Sequence, residues 1–65
     1  MTLLINGESK DAQAQTVAEL VTALELPAQT LLIEHNGTAL HRNEWASATL
    51  ADGDKLELMR ISAGG

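Results

Sequence analysis

The sequence predicts an α+β fold, a mixed β-sheet packed on one main helix, and three observations carry that prediction. Short runs of period-two alternation sit at both ends and in the middle of the chain, two of them closed by Asn-Gly pairs. A single apolar stripe of helical period lies between them. The resulting order is strand, strand, helix, strand, short strand, strand, which suits one helix lying across a mixed sheet.

Thr2 to Asn6 opens the chain as a strand, with Leu3 and Ile5 alternating against Thr2, Leu4 and Asn6. Asn6-Gly7 is a hairpin turn, because both residues tolerate positive φ. A more polar strand then runs from about Glu8 to Ala12. Thr16-Val-Ala-Glu19 has the form of a capping box, Thr16 and Glu19 satisfying orphan N–H groups at a helix start. Val17, Leu20, Val21 and Leu24 follow at helical spacing, and Pro27 is expected to stop the helix. Leu31 to His35 is the next strand, ended by Asn36-Gly37, with Thr38 to Leu40 returning beside it. Arg42 to Ala46 is expected to form one helical turn carrying Trp45 as a partly buried lid on the edge of the core. Asp52-Gly53-Asp54 is a turn, and Lys55 to Ile61 is the last strand. Residues 1–61 therefore read as one domain and 62–65 as a flexible tail ending Gly-Gly.

Composition removes whole classes of function. With 65 residues and no cysteine, the chain has one marginal core, no disulfide and no thiolate metal site. The net charge is −5, and its four cations, Lys10, Arg42, Lys55 and Arg60, are scattered, so nucleic acid is not an expected partner. An acidic surface suits a basic docking face on another protein. No apolar run is long enough to span a membrane, and Met1 to Gly7 has neither the basic segment nor the apolar length of a signal peptide. His35 and His41, six residues apart, are poorly spaced for a metal. Asp52 and Asp54 lack the further oxygen ligands of a calcium loop.

The remaining chemistry lies at the end of the sequence. Ser62-Ala63-Gly64-Gly65 follows the last strand directly. Fully extended, such a tail reaches roughly 13 Å, and its small side chains suit a narrow channel into another protein's active site. With no cysteine, no tyrosine and no Ser–His–acid set legible in the sequence, the carboxylate of Gly65 is the best candidate for the reactive group. It needs activation by a partner, since the chain has no Gly-rich phosphate loop. Along the last strand, Leu56 and Leu58 are expected to face the helix, which puts Met59 and Ile61 on the open face, as Leu4 is on the first strand. These three side chains are expected to form a docking patch near the root of the tail.

Taken together, Leu3-Leu-Ile-Asn-Gly7, Thr16-Val-Ala-Glu-Leu20, Glu34-His-Asn-Gly37, Arg42-Asn-Glu-Trp45, Leu50-Ala-Asp-Gly-Asp54 and Gly64-Gly65 resemble the ThiS family of sulfur carriers of thiamine biosynthesis. The resemblance implies a β-grasp, ubiquitin-like fold. It also implies a cytoplasmic carrier, monomeric when free, that is not itself an enzyme and holds no cofactor. A ThiF-type adenylating enzyme would activate Gly65 with ATP, and a persulfide donor would supply sulfur to leave a thiocarboxylate. Thiazole synthase would then accept that sulfur. Gly64 gives the group steric access. His41 and His35 depart from the family pattern, where many relatives have Pro and an apolar residue. The small subunit of molybdopterin synthase, a ubiquitin-like protein modifier and a β-grasp binding module without covalent chemistry are the competing readings.

Overall fold

The computed structural model describes residues 1–61, so the expected tail over 62–65 lies outside the described residues. Strands β1 (Thr2–Ile5) and β2 (Glu8–Asp11) form the first hairpin. Helix α1 (Val17–Ala23) follows, then a 3-10 turn over Ala28–Thr30. Strands β3 (Leu31–His35) and β4 (Thr38–Leu40) form the second hairpin. A second 3-10 segment, Arg42–Ser47, precedes β5 (Lys55–Arg60). The five strands lie in the order β2-β1-β5-β3-β4, with β1 and β5 parallel and the other pairs antiparallel. The sheet is therefore mixed, as the sequence predicts, and the last strand occupies its centre.

Alternation decides which residues enter the core. Leu3 and Ile5 of β1, Leu31 and Ile33 of β3 and Leu56 of β5 are buried under α1, which contributes Val17, Leu20 and Val21. Leu58 packs partly buried against this cluster, in phase with Leu56. Trp45 differs from the expected lid. At 4% exposure it belongs to the core itself, and among the described residues its indole Nε1 has no hydrogen-bond partner. The 3-10 segment that carries it packs against α1 and is longer than the single turn expected.

Two ends of α1 differ from the sequence reading. At the start, the Thr16 hydroxyl accepts from the Glu19 N–H as expected, at 3.2 Å. The Glu19 carboxylate, however, reaches past Thr16 to the N–H of Gln15, at 2.8 Å. Thr16 is itself bridged to Thr49, with Val17 N–H donating to Ala48 and Leu50 N–H to Gln15 on either side. At the other end the helix stops before Pro27. Glu25 adopts φ 55°, its N–H donates to Thr22 O, and the Leu26 N–H donates to Val21 O. That is a Schellman closure with glutamate in the left-handed position usually held by glycine.

Candidate functional site

The root of the tail is the end of β5, and the fold holds that strand from both sides. β3 pairs with it from Leu31↔Arg60 to His35↔Leu56. Beyond the strand, the Ile61 N–H still donates to Thr30 O at 2.7 Å. On the other side β1 pairs only as far as Ile5↔Leu56 before its turn begins. Asn6 then extends the ladder with its side chain. Its Oδ1 accepts from the Leu58 N–H at 2.7 Å, and its Nδ2 donates to Leu58 O at 3.2 Å. An asparagine side chain carries the same donor and acceptor as a peptide, so Asn6 supplies one more rung where the backbone has turned away.

The start of β5 is tied down by a denser network. Asn36 Oδ1 accepts from the Lys55 N–H at 2.8 Å, and Asn36 Nδ2 donates to Asp54 Oδ1 at 3.1 Å. Asp54 Oδ2 lies 2.8 Å from His35 Nε2 and accepts from the Ala51 N–H at 2.9 Å. The hydrogen bond from His35, helped by those from Ala51 and Asn36, holds the Asp54 carboxyl below its ordinary value against the opposing pull of desolvation. Both acidic residues of the Asp-Gly-Asp turn are taken up internally, since Asp52 accepts from the Thr2 N–H at 2.6 Å. Among the described residues no cluster of three or more potential metal ligands occurs.

The three residues expected to form one patch do not lie together. Met59 and Ile61 are exposed on the open face near the tail root, at 43% and 49%. Leu4 is on that face too, but the parallel register sets it beside Lys55, at the opposite end of β5. Met59 lies four positions along the strand from Lys55, roughly 13 Å. The neighbour Met59 does have is Leu32, directly across from it on β3 and 49% exposed. The alternation of Leu31-Leu32-Ile33 carried that signal: with Leu31 and Ile33 turned inward, Leu32 has to face outward. The patch at the tail root is thus Leu32, Met59 and Ile61. The expected attachment residues, Gly64 and Gly65, lie outside the described residues.

A mixed sheet with two antiparallel hairpins, a central last strand and one helix across a single face is the β-grasp architecture, the class to which ubiquitin-like carriers belong. Comparison with known proteins narrows it. The model of the ThiS family matches residues 3–65, and this chain belongs to that family. The crystal structure of the thiamine biosynthesis protein ThiS from Geobacter metallireducens superposes with a TM-score of 0.85 at 33% identity, covering 100% of both chains. A solution structure of a thiamine biosynthesis protein from Geobacter metallireducens gives a TM-score of 0.81 at 32% identity, over 100% of this chain and 88% of the other. Among curated proteins, a thiazole synthase from Paramagnetospirillum magneticum is 33% identical over 66 residues; this chain spans 20% of its length. Among the described residues, no helix is long and apolar enough to cross a membrane.

Proposed function

We propose that this chain is a sulfur carrier of thiamine biosynthesis, working through the carboxylate of Gly65. One observation carries the reading: the family match runs to the last residue, taking in both glycines that follow β5. In this reading the carboxylate attacks the α-phosphorus of ATP on a ThiF-type enzyme, releasing pyrophosphate and forming an acyl-adenylate. A persulfide sulfur then attacks the acyl carbon and AMP leaves. A thiol cleaves the resulting acyl disulfide, and the thiocarboxylate remains. Thiazole synthase takes up that sulfur, as the thiazole synthase relative with a segment of this kind in its own chain suggests. The carrier contributes no catalytic group and holds no cofactor; ATP belongs to its partner, and the cytoplasm is where ATP and reduced sulfur meet. The patch of Leu32, Met59 and Ile61 serves as the face presented to the activating enzyme, because it includes Ile61, from which the tail that must enter that enzyme departs.

Intact mass after incubation with the activating enzyme, ATP and a sulfur donor tests the reading. One oxygen should be replaced by sulfur, and a variant with one residue added after Gly65 should show no replacement while unfolding at an unchanged temperature. Normal loading of the extended variant overturns the proposal. A ladder of covalent adducts on other proteins would make the chain a modifier instead.

A further inference from the structure

The end of β5 is anchored unequally on its two sides. Toward β3, pairing continues to Leu31↔Arg60, and the Ile61 N–H donates to Thr30 O at 2.7 Å. Toward β1, backbone pairing stops at Ile5↔Leu56, and the Asn6 N–H donates to Leu56 O at 2.9 Å as that chain turns away. Among the described residues, the Asn6 side chain makes the only hydrogen bonds from this side that reach beyond Leu56. It takes both the N–H and the carbonyl of Leu58, at 2.7 and 3.2 Å. Both bonds are exposed, and the turn itself asks only for a positive φ, which glycine supplies freely. Without the Asn6 amide, β5 beyond Leu56 would be an edge strand held by one ladder, and segments with few protected hydrogen bonds open most readily.

That end of the strand is where the Gly65 tail begins. Four residues follow Ile61, a reach of at most roughly 13 Å, so the tail has little spare length with which to offset a displaced starting point. A reacting group misplaced by about 1 Å can lose about a hundredfold in rate. We propose that Asn6 is a positioning residue for sulfur loading. By clamping Leu58 it fixes the direction in which β5 leaves the sheet, and with it the place at which the Gly65 carboxylate meets ATP on the adenylating enzyme. The proposal rests on the sulfur-carrier reading above. Asn6 touches neither ATP nor the carboxylate and acts through β5 alone. Asn36 is the natural contrast: it heads a turn of the same dipeptide and holds the Lys55 N–H at 2.8 Å, at the far end of β5 from the tail.

The test is ATP–pyrophosphate exchange by the purified adenylating enzyme, with the full chain as the varied substrate, at a temperature where circular dichroism shows the variants folded. Asn6→Gly keeps the turn and removes the clamp. Its kcat should fall by about fivefold to tenfold while its KM changes by less than about twofold, the pattern of a misplaced reacting group on a carrier that still docks. Asn36→Gly, which releases the other end of β5, should keep the wild-type kcat. Asn6→Asp keeps an acceptor for the Leu58 N–H and loses the donor to Leu58 O, so its kcat should fall between the two; it carries the test should Asn6→Gly not stay folded. Amide exchange at Ile61 should quicken in Asn6→Gly and not in Asn36→Gly. Wild-type kcat in the Asn6 variants, equal losses in Asn6→Gly and Asn36→Gly, or a loss confined to KM overturns the positioning role and leaves the carrier reading standing. If the wild-type chain supports no exchange at all, the carrier reading falls and the positioning role with it.

Discussion

Asn6-Gly7 and Asn36-Gly37 share a dipeptide and a backbone, with φ 51° at both asparagines and 80° and 86° at the glycines, yet their side chains fasten opposite ends of β5. Asn6 holds Leu58, three residues before Ile61, with two bonds to the backbone in an exposed setting. Asn36 holds Lys55 at the first residue of the strand and shares Asp54 with His35, whose side chains are only 15% and 17% exposed. The turn alone does not need these contacts, since glycine would supply the same φ. The difference teaches that a residue selected for a local backbone angle also sets where the central strand is anchored. One anchor sits in a solvated ladder at the end that leads to the tail. The other sits in a partly buried polar network at the end that receives the chain from the Asp-Gly-Asp turn.

Alanine at the two positions should break the comparison most strongly. Asn36→Ala loses the bond to the Lys55 N–H and the bond to the Asp54 carboxylate, the latter of the stronger charged kind, and leaves a residue with a Cβ at positive φ. Together these should cost about 3 kcal/mol. Asn6→Ala loses two neutral bonds and carries the same backbone penalty, about 2 kcal/mol. Urea unfolding measures the totals, and amide hydrogen exchange shows the place, with protection falling first at Lys55 in one variant and at Leu58 in the other. Equal losses, or an Asn6 variant less stable than the Asn36 variant, would show that the Asp54 network adds nothing.

That network also predicts a difference in acid. Asp54 is held below its ordinary value of 3.8 in the folded state, first by His35 and then by the Ala51 and Asn36 donors, with desolvation opposing. A depressed folded pKa contributes stability that is present above the unfolded value and is lost as pH falls through the folded one. Stability of the wild-type chain should therefore decline as pH drops below about 4. Asp54→Asn should remove that part of the decline, and Asn36→Ala should shrink it. Asn6→Ala should leave it alone, because Asn6 makes no contact with the carboxylate. Urea midpoints at pH 3 to 7 decide the matter; an unchanged slope in Asp54→Asn would locate the acid sensitivity elsewhere.

Much of this arrangement was legible in the sequence, for a physical reason: a two-residue period and a 3.6-residue period are one-dimensional signals. They placed Leu3, Ile5, Leu56 and the Val17–Leu20–Val21 stripe in the core correctly. Register is not such a signal. Nothing in the sequence says that β1 meets β5 at Leu4↔Lys55, so alternation alone groups Leu4 with Met59, whereas Leu32 is the true neighbour. Cross-strand side-chain bonds are hidden for the same reason, and in the sequence both asparagines show only as turn formers. The polar neighbours of Trp45 hide its burial in the sequence; the 3-10 segment turns the indole inward against α1 while Arg42, Asn43, Glu44 and Ser47 stay exposed. The helix ends before Pro27, but what closes it is the left-handed Glu25 two residues earlier, a signal the sequence does not carry.

Glu25 sharpens the comparison with the smallest effect. It is the third residue other than glycine at positive φ, with φ 55°, and among the described residues it takes part in no ion pair. Unlike the two asparagines, its side chain fastens no strand. The contacts that close the helix come from its own N–H to Thr22 and from Leu26 to Val21, and glycine keeps both. Removing the Cβ relieves about 1–2 kcal/mol of left-handed strain, while the added freedom of glycine in the unfolded chain takes back about 0.5–1 kcal/mol. A negative charge just past a helix C-terminus is also unfavourable by a few tenths of a kcal/mol, so its loss helps. Glu25→Gly should therefore stabilise the chain by about 0.5–1 kcal/mol, seen as a higher urea midpoint at unchanged slope. Asn6→Gly, with less strain to relieve because asparagine tolerates the left-handed region, should destabilise it by about 1–2 kcal/mol, because two bonds to Leu58 go with the side chain. Opposite signs at two positions with nearly the same φ would show that the asparagines are kept for what they hold. The same sign at both would mean that backbone angle alone decides these sites.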